Sequence, residues 1–489
     1  MLFNSHIFML LFLPLLLAGW YFLNWKKKFQ LAQGYLIGMS LWFYAYANLQ
    51  YLWLLLFSCL IGWLLSCLPE KIFSEKGKKV LTGVGCVFHL GLLGYFKYSN
   101  FFLENLNTVF HTDFPMLQIL LPVGISFYTF QQLAYLIDRC RGDAPRDSFF
   151  DYLTFMVYFP QLLQGPILLR SEFMGQLKEP ERRRFHAERF SEGIQFFVFG
   201  LAKKVLLADT LAKAVNYGYS NVSMLDSISA LLLAVGYLTE LYFDFGGYCD
   251  MAVGLGKMIG LEVAENFDAP FHSASVKEFW RRWHMTLGRF FTRYVYIPLG
   301  GNRRGKMRTL CNVMIVMLLS GLWHGAAWTF VLWGFLHGVG MIWDNLEHPH
   351  LPKKWMRQAA TFAYVCMTFV FFRAESIAQG IDVLKSIVSL KWNGFVFQMA
   401  SALDMTEFYM ITKALSMKLP GLLSWFWLGI FVVLIAICFR VLSGEKVSGV
   451  VALQRQKGYG RLYPVLLAVL FTWSMISMTG VSEYLYFSF

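Results

Sequence analysis

The sequence predicts an all-α polytopic membrane protein, and three observations predict it. Of its 489 residues 57% are hydrophobic and 15% are charged, against roughly 25% charged in an ordinary soluble domain. Apolar runs of about 20 residues, the length that spans a bilayer, recur from one end of the chain to the other. Most of these runs are apolar round the whole helix, which argues against amphipathic helices packed on a soluble core. Counted by length, the runs predict about 11–12 transmembrane helices with re-entrant segments around a central tunnel. They form one integral-membrane domain, 1–489, with a motif-rich part at about 117–345 and C-terminal helices over 359–489.

The spans fall near 6–24, 31–47, 50–68, 80–98, 117–137, 191–208, 227–245, 309–330, 359–373, 423–440 and 464–482. Weaker ones fall near 149–169, 248–262 and 331–345. The first run is followed by Lys26, Lys27 and Lys28 and preceded by no basic residue. That is the reverse of a cleavable secretory signal and reads as a retained helix with its N-terminus outside. Basic loops at 26–28, 71–79, 139–146, 170–189, 277–308, 353–357 and 440–461 are expected on the cytoplasmic side, which puts the C-terminus outside as well. Between two such loops, 149–169 cannot cross; Pro160, Gly165 and Pro166 fit a re-entrant hairpin. Non-helical backbone at that depth requires protein or a water-filled cavity around it. Gly246-Gly247 and Gly254, Gly256 and Gly260 predict similar breaks.

Forty-three Lys and Arg against 30 Asp and Glu leave a net charge of +13, the cytoplasmic excess expected of a membrane protein. No basic soluble unit that would bind nucleic acid is visible. The eight cysteines are scattered without CxxC spacing, so disulfides and a metal site are not expected.

Two histidines stand out. Trp323-His324-Gly325 lies inside the apolar stretch 313–331, and an ionisable residue at membrane depth is a functional-site hypothesis by default. A neutral imidazole there can accept a proton from a hydroxyl, or it can be a structural group bonded to a nearby carbonyl. His284 follows Phe279-Trp280-Arg281-Arg282-Trp283 in a segment, 277–308, with nine Lys or Arg and one Glu. That segment reads either as an interfacial helix with snorkelling cations or as a basic mouth for a phosphate-bearing donor. Asn302 and Arg303, in Gly300-Gly301-Asn302-Arg303-Arg304-Gly305, are further candidates for phosphate contact. Asp244 and Asp250 flank the Gly246-Gly247 pair; they read as a cation partner and a helix cap, or as a group that orients a histidine. His337 is a third, weaker candidate, able to share a site with His324 only if the chain turns between them.

Taken together these motifs resemble the membrane-bound O-acyltransferase family, in particular its bacterial branch of alginate and peptidoglycan O-acetyltransferases. The resemblance rests on Leu121-Pro122-Val123-Gly124-Ile125-Ser126-Phe127, Gly165-Pro166-Ile167, Lys203-Lys204 and Tyr242-Phe243-Asp244-Phe245. It continues through Glu265-Asn266-Phe267, Trp280-Arg281-Arg282-Trp283-His284, Pro298-Leu299-Gly300-Gly301-Asn302-Arg303, Trp323-His324-Gly325 and the aromatic end, 484–489. Gly246 and Cys249 replace two hydroxyl residues of the family pattern, and Arg293 stands where an acidic residue is usual.

The resemblance implies that His324 is the catalytic histidine and His284 the second characteristic one. It also implies that Trp323, Asp244, Asn266, Trp280, Arg281, Arg282, Asn302 and Arg303 contact substrate. The function implied is transfer of an acetyl group from acetyl-CoA, a substrate rather than a tightly bound cofactor, to an extracytoplasmic polysaccharide. The setting implied is a bacterial inner membrane, with membrane lipid around the chain and a periplasmic or surface acetyltransferase partner protein. D-alanyl transfer to teichoic acid from a carrier-protein thioester is the alternative within the family. A transporter or flippase with His324 lining its path is the alternative outside it.

Overall fold

The computed structural model describes residues 1–47, 49–67, 75–346, 352–442, 446–457, 460, 462–478 and 484–485. Among them the regular elements are all helices. Six are long and apolar enough to cross a membrane: Phe8–Trp25, Leu49–Cys67, Lys76–Phe110, Ser227–Ile259, Lys306–His324 and Pro420–Leu442. Trp328–Trp343 and Leu462–Ser477 are shorter apolar helices. Phe29–Ala47, Ala187–Ala202 and Lys354–Arg373 occupy three more of the expected spans. Residues 71–74 of one basic loop and 486–489 of the aromatic end lie outside the described residues.

The bundle is built on the 33-residue helix Ser227–Ile259. Asp226 starts it: its carboxylate accepts from the Ser229 N–H at 2.8 Å, and the Ser229 hydroxyl oxygen accepts from the Asp226 N–H at 2.9 Å, a reciprocal cap. Gly260, at φ +80°, ends it in the left-handed conformation that favours glycine. The helix is buried on nearly every side. Leu233, Tyr237, Leu241 and Phe243 enter one hydrophobic cluster, and Tyr248, Met251, Leu255 and Ile259 enter another. One helix therefore joins two cores.

Its tightest neighbour is Ala187–Ala202. A Cβ on Gly193 would lie 2.7 Å from the Gly254 carbonyl, and one on Gly254 would lie 2.5 Å from the Gly193 carbonyl. Gly200 and Gly247 make the same reciprocal contact, at 2.5 and 2.7 Å. The two pairs are seven residues apart on each helix, so the backbones touch twice on one face. Small residues serve this purpose where apolar lipid gives helices no hydrophobic reason to associate.

This packing corrects one sequence expectation. The glycines between 246 and 256 do not break the chain, because the helix runs on to Ile259; two of them, Gly247 and Gly254, are contact points with the neighbouring helix. Two further spans differ from expectation. The one placed at 117–137 begins as a helix only at Ile125, since Pro115, Pro122 and Gly124 at φ +78° keep the preceding segment extended. The one placed at 309–330 is two helices, with a break at Gly325. The segment 149–169 behaves as its prolines and glycine require: short helices Phe149–Val157 and Phe159–Leu162, then non-helical chain. Residues 154–168 are all buried against protein.

Gly254→Leu forces the two helices apart and is expected to destabilise the protein by about 1–3 kcal/mol, as overpacking does. Gly246→Ala is its control, since a Cβ there meets only Phe267, at 3.9 Å. Thermal unfolding in detergent should separate them, with a lower midpoint for Gly254→Leu and none for Gly246→Ala.

Candidate active site

His324 is the last residue of Lys306–His324, and Trp328–Trp343 folds back along it. Gly334 allows the return, since a Cβ there would lie 2.5 Å from the Met317 carbonyl. The helix end leaves backbone carbonyls without intrahelical partners, and in apolar surroundings they need donors. The Lys97 ammonium supplies two bonds, to the Trp323 carbonyl at 2.7 Å and the His324 carbonyl at 2.8 Å. The Tyr98 hydroxyl donates to the Leu322 carbonyl at 2.5 Å. Both donors come from a π-helical turn, Gly94–Tyr98, a local distortion common at functional sites. The imidazole of His324 is 4% exposed and packs against Trp323, Trp333 and Phe372, with ring centroids 4.9–5.2 Å away.

His284 lies opposite, with its ring centroid 6.4 Å from that of His324. Its backbone is left-handed, φ 47° and ψ 51°, a conformation costing a non-glycine residue roughly 1–2 kcal/mol. Asn266 holds it there. The Asn266 carbonyl accepts from the Met285 N–H at 3.0 Å. Its side-chain oxygen accepts from the Thr286 N–H at 3.1 Å and the Thr286 hydroxyl at 3.0 Å, and lies 3.2 Å from His284 Nδ1. An oxygen can only accept, so Nδ1 carries the proton and Nε2 is the basic nitrogen. Phe245 flanks the ring at 4.8 Å.

The structure brings together some of the sequence-predicted residues and separates others. Trp323 packs on Phe127 and Phe130 beside both histidines. Trp280 donates to His337 Nδ1 at 3.2 Å, and the other nitrogen of His337 lies 2.9 Å from the Thr368 hydroxyl. His337 therefore has both nitrogens engaged, and Trp333 stands between it and His324. Asp244 orients no histidine. It pairs with Lys204 at 2.5 Å and accepts from the Leu485 N–H at 3.0 Å. Asp250 caps no helix and pairs with Lys203 at 2.7 Å; the orienting role belongs to Asn266. Arg282 bonds Glu278 at 3.0 Å. Burial pushes the Glu278 carboxyl up, but the Ala274 N–H and the Arg282 guanidinium hold it below the ordinary value. Arg281, Asn302 and Arg303 are exposed, and none of them lines a cavity that reaches either histidine.

Three cavities lie near this centre, one of them lined by His324 itself. One of about 60 Å³ is lined by Lys97, Ser126, Gln164, Trp323 and His324. A second, of about 820 Å³, reaches Asn266 and is lined by Lys203, Asp250, Arg440 and Lys446 among many apolar side chains. Lys446 and Arg282 meet across Asp268, which bonds both, so the basic motif borders its rim. The third, of about 710 Å³, has Asn216, Glu240, Asp244, Thr329 and Arg373 in its wall beside apolar side chains. It ends on Phe330 and Phe372, the latter in contact with His324.

Lys97 was missed in the sequence, although the signal was there: it is a lone charge in an apolar run, the feature that singles out His324. Lys97→Met is expected to lower turnover about 100-fold, the cost of an Ångström-scale misplacement, while Lys97→Arg keeps a donor and retains more. Ester formation per expressed protein measures the difference. Asn266→Ala should show a comparable loss in the same assay, since it removes the side-chain oxygen beside His284 Nδ1.

Comparison with known proteins follows the same residues. Positions 141–380, which include both histidines, match the membrane-bound O-acyltransferase family. A peptidoglycan O-acetyltransferase of Helicobacter pylori is 35% identical over 80% of each chain. A probable alginate O-acetylase AlgI of Azotobacter vinelandii is 39% identical over 77% of this chain and 76% of its own. A teichoic acid D-alanyltransferase of Streptococcus thermophilus is more distant, 28% identical over 49% of this chain and 58% of its own. With its apolar spanning helices and paired buried histidines, the chain belongs to the membrane-bound O-acyltransferase family and is a multi-pass membrane O-acyltransferase.

Proposed function

We propose that this protein moves an acetyl group from acetyl-CoA on the cytoplasmic side of a bacterial inner membrane to a hydroxyl of an extracytoplasmic polysaccharide. The observation that carries the reading is the buried pair of histidines, 6.4 Å apart between ring centroids, with one cavity lined by Asn266 beside His284 and another by Phe372 beside His324. The donor enters past Arg282 and Lys446 into the 820 Å³ cavity, whose size suits a thioester-bearing arm. The acceptor approaches through the 710 Å³ cavity toward His324. By the basic-loop rule, Arg440 and Lys446 fall on the cytoplasmic side and Asn216 and Ser220 on the outer side, with both termini outside.

His324 acts as general base. It takes the proton of the attacking hydroxyl while the oxygen bonds to the thioester carbon. The carbon–sulfur bond then breaks, and the thiolate leaves with that proton. A positioned base contributes about 10²–10⁴ in rate. His284, fixed by Asn266 with Nε2 as its basic nitrogen, orients the donor carbonyl region from the opposite side. A periplasmic or surface partner protein receives the acetyl group and completes delivery to the polymer. Relatives named for O-acetylation match over more of the chain, and at higher identity, than the relative named for D-alanyl transfer; this favours acetyl over D-alanyl.

Base-labile esters on envelope and secreted polysaccharides should be quantified in cells carrying the wild type or an expressed His324→Ala variant. Acetate present with the wild type and lost with the variant is the expected result. D-alanine lost instead would reassign the donor, and unchanged esters would remove His324 from the chemistry.

A further inference from the structure

Gln164 is 0% exposed, yet neither its carboxamide oxygen nor its nitrogen meets a hydrogen-bond partner in the protein. Such a group is costly to bury. Three residues earlier Gln161, equally buried, has its nitrogen anchored on the Phe155 carbonyl at 2.5 Å. The contrast is local and specific: Gln161 holds the re-entrant segment in shape, and Gln164 holds nothing in it. Gln164 instead lines the 60 Å³ cavity with Ser126, Lys97, Trp323 and His324. That space is small, on the scale of a short acyl group.

We propose that Gln164 is a catalytic residue whose side-chain N–H binds the oxygen of the transferred acetyl group, and that the small cavity beside it is the acetyl pocket. The assignment rests on the acyl-transfer reading above. The thioester carbonyl supplies the partner that the carboxamide nitrogen lacks in the resting enzyme. As the acceptor hydroxyl oxygen adds to the carbonyl carbon, its proton passes to His324 and negative charge gathers on the former carbonyl oxygen. The Gln164 N–H donates to that oxygen. The intermediate collapses by breaking the carbon–sulfur bond, the carbonyl re-forms, and the thiolate takes the proton from His324. Donors placed for such an oxygen act where water cannot screen them, and each contributes about 10²–10³ in kcat. Lys97 is occupied with the helix-end carbonyls, so the carboxamide is a neutral donor placed for this task.

Gln164→Leu tests the assignment because it keeps a side chain of similar bulk and removes the amide. Isolated envelopes containing the full chain and its native partners are supplied with acetyl-CoA, and acetyl ester formation is followed as donor concentration varies. The expected result is a kcat about 10²–10³ lower, with KM for acetyl-CoA changed far less and the thermal midpoint unchanged or higher. Butyryl-CoA should be refused by the wild type. Wild-type kcat in Gln164→Leu overturns the proposal, as does a lowered midpoint, which would make Gln164 structural. Equal use of butyryl-CoA overturns the acetyl pocket. Failure of the wild type itself to form acetyl ester overturns the functional reading instead, so the two failures are distinct.

Discussion

The bundle depends on backbone-to-backbone contact between Ala187–Ala202 and Ser227–Ile259. Four glycines, Gly193 and Gly200 on one helix and Gly254 and Gly247 on the other, let the chains approach until a single added methyl group would clash with a carbonyl. Inside lipid, apolar side chains gain little by leaving an equally apolar solvent, so association must come from close packing and polar contacts. The glycine pairs supply the packing. They bury a 33-residue helix on almost all sides, and that helix then passes through two hydrophobic cores. Lys203 and Lys204 follow Ala187–Ala202 directly, which sets them against Asp250 and Asp244 on the partner helix. The carboxylates that look catalytic in the sequence are consumed by this seam.

The same scarcity of solvent explains the design of the site. A helix that stops inside a protein exposes carbonyls that water would satisfy at a surface. Here a lysine and a tyrosine from a distorted turn satisfy them, and the helix end that carries His324 is thereby held in place. His284 is held by different means. Its strained backbone is sustained because Asn266 bonds the backbone on one side and Thr286 and the imidazole on the other. An amide is suited to this work: it orients a histidine without adding charge at depth. His337, by contrast, has Trp280 on one nitrogen and Thr368 near the other, and it serves the packing around Trp333.

The basic segment has a divided role. Arg282 is tied to Glu278 and to the Asp268 carbonyl, and Lys446 reaches the Asp268 carboxylate. These pairs stitch the motif segment to the C-terminal helices at the edge of the 820 Å³ cavity. Arg281, Asn302 and Arg303 remain exposed. Charge in the sequence marked a surface, and tertiary pairing separated the structural cations from those open to solvent.

The membrane class, the all-helical fold and the two histidines were legible in the sequence, because bilayer burial demands long apolar runs and makes any ionisable residue within them conspicuous. The prolines of 149–169 likewise showed that this segment could not be one helix, since the rings remove donors and fix φ wherever they stand. The glycines of 246–256 were misread, because a glycine that breaks a helix and one that admits a neighbouring backbone are the same residue; only the presence of Gly193 and Gly200 opposite them decides. Asn266, Lys97 and Gln164 lie far along the chain from His324. The contacts of Lys97 and Asn266 span 2.7–3.2 Å between elements that the sequence lists far apart. Composition and local pattern determined the medium and the chemistry available, since these follow from each residue's own properties. Which polar groups meet at the centre was decided by packing, because a hydrogen bond depends on where its partner lies in space and not on where it lies in the chain.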